Sequence, residues 1–166
     1  MTLEQLNALD EQEFVSAVGW IFERSPWVAE RAWASRPFRS RAHLHETMQA
    51  VVERASGQEQ LALLRAHPDL GSRVSMSSAS TREQSGAGLS QMDGATRTRL
   101  QALNHDYRAR LGFPFLYAVK GATPEAILAS LRSRIDNPYD LEFREALTQV
   151  FVIAGFRLAD VLPGSM

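Results

Sequence analysis

The chain has 166 residues, 45% of them hydrophobic and 22% charged, a length and balance suited to one ordinary core. Its net charge is −1, which gives no bulk field drawing it to nucleic acid or to an anionic membrane surface. It has no cysteine, which removes disulfides, thiolate metal sites and cysteine nucleophiles, and Lys120 is its single lysine, so its cationic chemistry is that of arginine forks. No apolar run approaches the ~20 residues of a membrane span. The start shows no basic-then-apolar leader, and Pro163-Gly164-Ser165-Met166 is no peroxisomal address. The expectation is one soluble, cytoplasmic domain over residues 1–166, with no nucleic-acid or membrane partner.

Helix signals recur along the chain. Asp10-x-x-Glu13 has the form of a capping box, with Phe14, Val15, Val18, Ile21 and Phe22 as the apolar stripe behind it. Ser25-Pro26 puts a cap residue before a proline at the first helical position, ahead of Trp27, Val28, Ala32 and Trp33. Leu44, Met48, Val51 and Val52 repeat at helical spacing, as do Leu61 and Leu64, with Leu63 beside them. Leu100, Leu103, Tyr107 and Leu111 form another stripe, ended by Gly112. Thr123-Pro124-Glu125 opens a helix with Ile127, Leu128, Leu131 and Ile135, and Asn137-Pro138 opens the last and longest one. Only Phe113 to Val119 reads as extended, and Pro114 argues against a central strand there. The predicted class is all-α, about seven or eight helices, with one functional loop after the fourth or fifth.

That loop is the polar segment from His67 to Leu89. Loops between helices usually run to roughly 2–8 residues, and longer ones tend to carry binding or catalytic side chains. His67 precedes Pro68, which stiffens the exit, and Asp69 is a candidate orienting partner. An imidazole with an ordinary pKa near ~6.5 both donates and accepts protons at neutral pH. The plainer reading is a polar residue closing the preceding helix, favoured there by the dipole. Ser80-x-x-Glu83 likewise has two readings, a capping box and a polar ligand site, and these are compatible because a helix N-terminus also binds anions. Gly86 and Gly88 would let a ligand approach the backbone closely.

In the last helix Phe143, Leu147, Val150, Ala154, Arg157 and Val161 share one face, so Arg157 stands in a core-facing row. A buried guanidinium needs a partner. Three outcomes stay open: an internal carboxylate, an extended side chain reaching the surface, or an anionic ligand. His43-x-His45 is a poor metal pair, since positions i and i+2 of a helix diverge. His105-Asp106 lacks the further spaced ligands that a metal-dependent phosphohydrolase would require. Tyr107, Phe113 and Phe115 read as core or pocket wall. No phosphate-cradling glycine loop and no nucleophile elbow is present.

Taken in order, His67-Pro68-Asp69-Leu70, Ser80-x-x-Glu83-Gln84, Ala87-Gly88-Leu89, Leu103-Asn104-x-x-Tyr107, Gly112-Phe113-Pro114-Phe115, Arg134-x-x-Asn137 and Arg157-Leu158 resemble the OHCU decarboxylases, and the likeness runs from Ser25-Pro26-Trp27 to Leu158. One departure is Leu111, where many members have phenylalanine. These enzymes act on 2-oxo-4-hydroxy-4-carboxy-5-ureidoimidazoline in urate breakdown. The resemblance implies a decarboxylation without cofactor or metal, giving (S)-allantoin and carbon dioxide, in an all-helical and commonly homodimeric protein. It implies that His67 is the catalytic acid/base, with Glu83 and Arg157 completing the polar shell. It further implies that a small ureidoimidazoline is held by Pro68, by Ser80, Thr81, Arg82, Glu83 and Gln84, and by the backbone of Phe115, Leu116, Tyr117, Ala118 and Val119. Two rival readings are a non-catalytic binding module for a ureido or purine metabolite and a metal-dependent hydrolase.

Overall fold

The computed structural model describes residues 1–71 and 77–165. Residues 72–76, inside the predicted functional loop, lie outside that description. Among the described residues the fold is all helical, with nine α-helices and one 3₁₀ turn. The chain forms two compact units, Met1–Ala66 with Phe151–Met166, and His67–Val150.

The first unit contains α1 (Leu3–Ala8), α2 (Glu11–Val18), α3 (Trp27–Trp33), α4 (Arg41–Arg54), α5 (Gly57–Arg65) and the second half of α9 (Tyr139–Val161). Helix α3 packs on α2 and α4. Its core is Leu6, Phe14, Val18, Val28, Ala32, Leu44, Met48, Val52, Leu63 and Leu64, with Ala154 and Leu158 from α9. The Asp10 capping box forms as the spacing predicts. Helix α1 was not expected. It starts at a second box, Thr2 with Gln5, which is short enough to escape a search for apolar stripes. Ser25 does not cap α3. Pro26 holds the cap position without a side-chain bond, and the Ser25 hydroxyl instead donates to the Glu23 carbonyl at 2.8 Å.

The second unit holds α6 (Ser78–Gly86), the 3₁₀ turn Leu89–Gln91, α7 (Gly94–Leu111), α8 (Pro124–Arg134) and the first half of α9. Helix α7 packs on α8. Leu100, Tyr107, Leu111, Ile127, Leu131, Ala146 and Val150 are buried together with Phe113 and Phe115. Gly112 ends α7 at φ +79°, as its position after the stripe predicts. Thr123 caps α8 with Pro124 at the first turn. Residues 113–119 form an irregular segment without strand pairing among the described residues. The excess over the expected helix count comes from α1 and from α6, which occupies much of the segment read as loop. No helix among the described residues is long and apolar enough to cross a membrane.

Candidate active site

His67 follows the C-terminus of α5 (Ala66 is the cap) and is 6% exposed. It heads the segment His67-Pro68-Asp69-Leu70-Gly71, and that segment is held chiefly through its backbone. One face of α7 supplies most of the grip. Arg97 Nη1 donates to the Gly71 carbonyl at 2.8 Å, Asn104 Nδ2 to the Leu70 carbonyl at 2.9 Å, and Arg108 Nη1 lies 3.5 Å from Asp69 Oδ2. Leu100, on the same face, approaches so closely that a Cβ on Gly71 would stand 2.9 Å from its Cδ2 and 2.8 Å from Met92 Cε. Gly71 also has φ +73°, so its backbone angle favours glycine, and any Cβ there would further require the ends of Met92 and Leu100 to shift. From α6, Gln84 Oε1 accepts the Gly71 N–H at 2.8 Å. Asp69, the candidate partner of the imidazole, turns one carboxylate oxygen toward Arg108.

Helix α6 carries Ser80 to Gln84, but its cap is Ser77, whose side chain accepts from Ser80 N at 3.1 Å. The Ser80-x-x-Glu83 capping box therefore does not form. Ser80 sits three residues inside the helix and is buried, Glu83 is half-buried, and Gln84 is buried under the His67–Gly71 segment. Thr81 and Arg82 are exposed, and the Thr81 hydroxyl donates to the Ser77 carbonyl at 3.0 Å. Gly88 has φ +79°, while a Cβ on Gly86 would meet nothing within 4 Å.

Residues 113–119 are held by a buried polar network that periodicity alone does not announce. Glu142 is 0% exposed and accepts from Tyr107 Oη at 2.6 Å, Arg134 Nε at 2.9 Å and Asn137 Nδ2 at 3.0 Å. Arg134 also donates from Nη1 to the Leu116 carbonyl at 2.7 Å and lies over the Phe115 ring at 4.5 Å. The ring of Phe115 meets Tyr107 edge-on at 5.4 Å. Gln149 Oε1 accepts the Ala118 N–H at 2.8 Å, and Val119's carbonyl accepts from Ala122 N. Burial, followed by the bond to the Glu142 carboxylate, pushes the Tyr107 hydroxyl well above the ordinary tyrosine range, so it stays a neutral donor. Phe115, Leu116 and Val119 are buried, and Tyr117 and Ala118 are half-buried.

Arg157, in the other unit, is buried as its place in the stripe predicts, at 2% exposure. Its Nη2 lies 3.0 Å from Glu23 Oε2, and Nη1 donates to the carbonyls of Trp20 at 3.2 Å and Ile21 at 3.3 Å. Of the three outcomes open for this guanidinium, the internal carboxylate is realised, and its burial rules out an extension to the surface. The remaining histidines serve packing and capping or stand outside. His43 Nδ1 accepts from Arg39 N at 3.1 Å, His45 Nε2 bonds the Phe151 carbonyl at 2.8 Å, and His105 is exposed.

The second unit thus contains a histidine-bearing loop braced by two helices and a separately braced loop of aromatic residues. A family model described as OHCU decarboxylase matches residues 7–159. The chain belongs to the OHCU decarboxylase family, whose members are carboxy-lyases. It is 50% identical over 160 residues to the 2-oxo-4-hydroxy-4-carboxy-5-ureidoimidazoline decarboxylase of Haloferax volcanii, a match that covers 96% of this chain and 95% of that one. It is 42% identical over 161 residues to the uric acid degradation bifunctional protein PucL of Bacillus subtilis, covering 97% of this chain and 33% of that protein. A crystal structure of (S)-allantoin synthase superposes with a TM-score of 0.78 at 33% identity, over 98% of this chain and 54% of that one. A crystal structure of an OHCU decarboxylase in the presence of (S)-allantoin gives 0.73 over 93% of this chain and 99% of that one, at 20% identity, a likeness of fold.

Proposed function

We propose that this chain decarboxylates 2-oxo-4-hydroxy-4-carboxy-5-ureidoimidazoline in urate degradation, releasing carbon dioxide and (S)-allantoin, with His67 as general acid/base. The observation that carries this reading is a buried imidazole at the head of a loop whose backbone is fixed from two helices, in a chain of this family. An acid/base residue must be held in place to deliver a proton to one face of its substrate, and such bracing supports that duty.

The chemistry asks little else of the protein. The bond to the carboxylate carbon breaks, carbon dioxide leaves, and the electron pair passes into the conjugated ring imine beside it. A C–H bond then forms with a proton from His67. Because the substrate carries its own electron sink, the reading requires no cofactor. The protein holds the ring, stabilises the developing charge and chooses the face. We assign Pro68, Ser80, Thr81, Arg82, Gln84 and residues 115–119 to substrate binding, and Glu83 to orienting the imidazole or bonding the ureido group. Arg157 has a narrower role, since Glu23 already balances its charge. It suits hydrogen bonding to polar oxygens better than a clamp on the departing carboxylate, which would stabilise the ground state. The proposal extends to one catalytic domain over residues 1–166, assembled as a homodimer in the cytoplasm, with a small-molecule substrate and no nucleic-acid or membrane partner.

The test generates the substrate from urate with urate oxidase and the following hydrolase, and then records circular dichroism. The purified protein is expected to accelerate the appearance of optically active allantoin. Failure to do so rejects the reading, and allantoin binding without turnover replaces it with a binding module. His67→Asn is expected to stay folded and to lose about 10²–10⁴-fold in turnover. Wild-type rates in that variant would remove His67 from the mechanism.

A further inference from the structure

The segment 115–119 lies in an irregular stretch, with no helical or strand ladder to fix it. Such a stretch is an imprecise binding surface unless something outside it sets its peptide groups. Two side chains do so here, from two different helices. On α8, Arg134 takes the Leu116 carbonyl at 2.7 Å and lies on the Phe115 ring. Arg134 is itself held by the fully buried Glu142 through Nε. On α9, Gln149 takes the Ala118 N–H at 2.8 Å, and its own amide is oriented by a 2.9 Å bond from Nε2 to Glu145. The two grips fall on either side of Tyr117. No hydrogen bond among the described residues uses the N–H or carbonyl of Tyr117. The Tyr117 N–H and carbonyl are therefore the far ends of two peptide groups whose near ends, the Leu116 carbonyl and the Ala118 N–H, are fixed, which sets a donor and an acceptor at a spacing that suits the N–H and C=O of a ureido or lactam group.

We propose that Gln149 and Arg134 are positioning residues for substrate recognition, holding the peptide groups on both sides of Tyr117 so that the Tyr117 N–H and carbonyl meet the ureido or lactam edge of the ligand. This rests on the reading that the chain binds the ureidoimidazoline. Neither side chain is assigned a contact with the reacting atoms. Gln149 is the sharper probe, because it is half-buried, stands on a helix that leucine tolerates, and reaches the segment through one acceptor atom.

The experiment compares wild type with Gln149→Leu. Leucine keeps the bulk and the helix but leaves the Ala118 N–H without its acceptor. Three readouts are taken together: Ala118 amide exchange, KM and kcat on enzymatically generated substrate, and the melting temperature. The expected result is faster Ala118 exchange and a KM raised about 3–10-fold, with kcat within about twofold, the pattern of weakened binding shared by ground state and transition state. A folded, active Gln149→Leu with unchanged KM overturns the proposal, and so does a loss confined to kcat. A purely structural role would lower the melting temperature and leave KM unmoved. Absence of turnover in the wild type is a different outcome, which rejects the proposed function and this proposal with it.

Discussion

Arg157 and Glu23 show what one buried charge demands of its surroundings. Both side chains are almost without solvent, at 2% and 1% exposure, and a charge so placed must be compensated within the protein. The compensation comes from a carboxylate and two carbonyls in the turn after α2, and Ser25 closes that turn by donating to the Glu23 carbonyl. Removing one member strands the other. Glu23→Ala is therefore expected to destabilise the fold by about 3–5 kcal/mol, measured by urea denaturation. Replacement of Arg157 by methionine together with Glu23 by leucine is expected to cost much less, because no unpaired charge remains. A loss below about 1 kcal/mol in Glu23→Ala would mean that the pair is not the compensation it looks to be. The guanidinium's place in a core row was legible from the spacing of α9. Its partner was not, because Glu23 lies 134 residues away and no local pattern links the two.

At the scale of elements, α6 and α7 decide where the histidine loop sits. The sequence around α6 offers several serines in a row, Ser75, Ser77, Ser78 and Ser80, and each has the side chain of a good cap. Reading Ser80-x-x-Glu83 as the start put the helix three residues too late. With Ser77 as the cap, Ser80 is buried, and Gln84 comes under Gly71. Ser77→Ala is expected to cost about 1 kcal/mol and to loosen α6 locally, seen as faster exchange at the amides of residues 80–82. Ser80→Ala is expected to leave those first-turn amides protected, whereas the reverse ranking would restore Ser80 as the cap. For α7 the apolar stripe was legible, and Leu100, Tyr107 and Leu111 are buried as read. The polar residues interleaved with it were not, since Arg97, Asn104 and Arg108 act on a loop 26 to 39 residues earlier. A pattern of helical periodicity reports which face is buried, and says nothing of which backbone groups that face must satisfy.

For the whole molecule, the class of fold followed from periodicity and caps. The buried Tyr107–Glu142–Arg134 network gives the protein a pH response that composition alone would not suggest. The chain's near-zero net charge offers no strong self-repulsion at neutral pH. The Tyr107 hydroxyl is held well above its ordinary pKa, first by burial and then by the Glu142 carboxylate, with Arg134 working weakly in the opposite direction. Its folded-state pKa thus exceeds the unfolded value near about 10. The stability this contributes is fully present below about pH 10. It fades as pH rises beyond that point, because the unfolded chain releases a proton that the folded chain retains. Tyr107→Phe removes the 2.6 Å bond to a charged acceptor and is expected to lower stability at pH 8 by about 1.5–3 kcal/mol. The same substitution removes this titration, so the wild-type advantage should shrink steadily from pH 10 to pH 11.5 in urea denaturation. A difference between the two proteins that stays constant across that range would show that the hydroxyl ionises alike in the folded and unfolded chains, and that Glu142 and the surrounding core do not hold its proton.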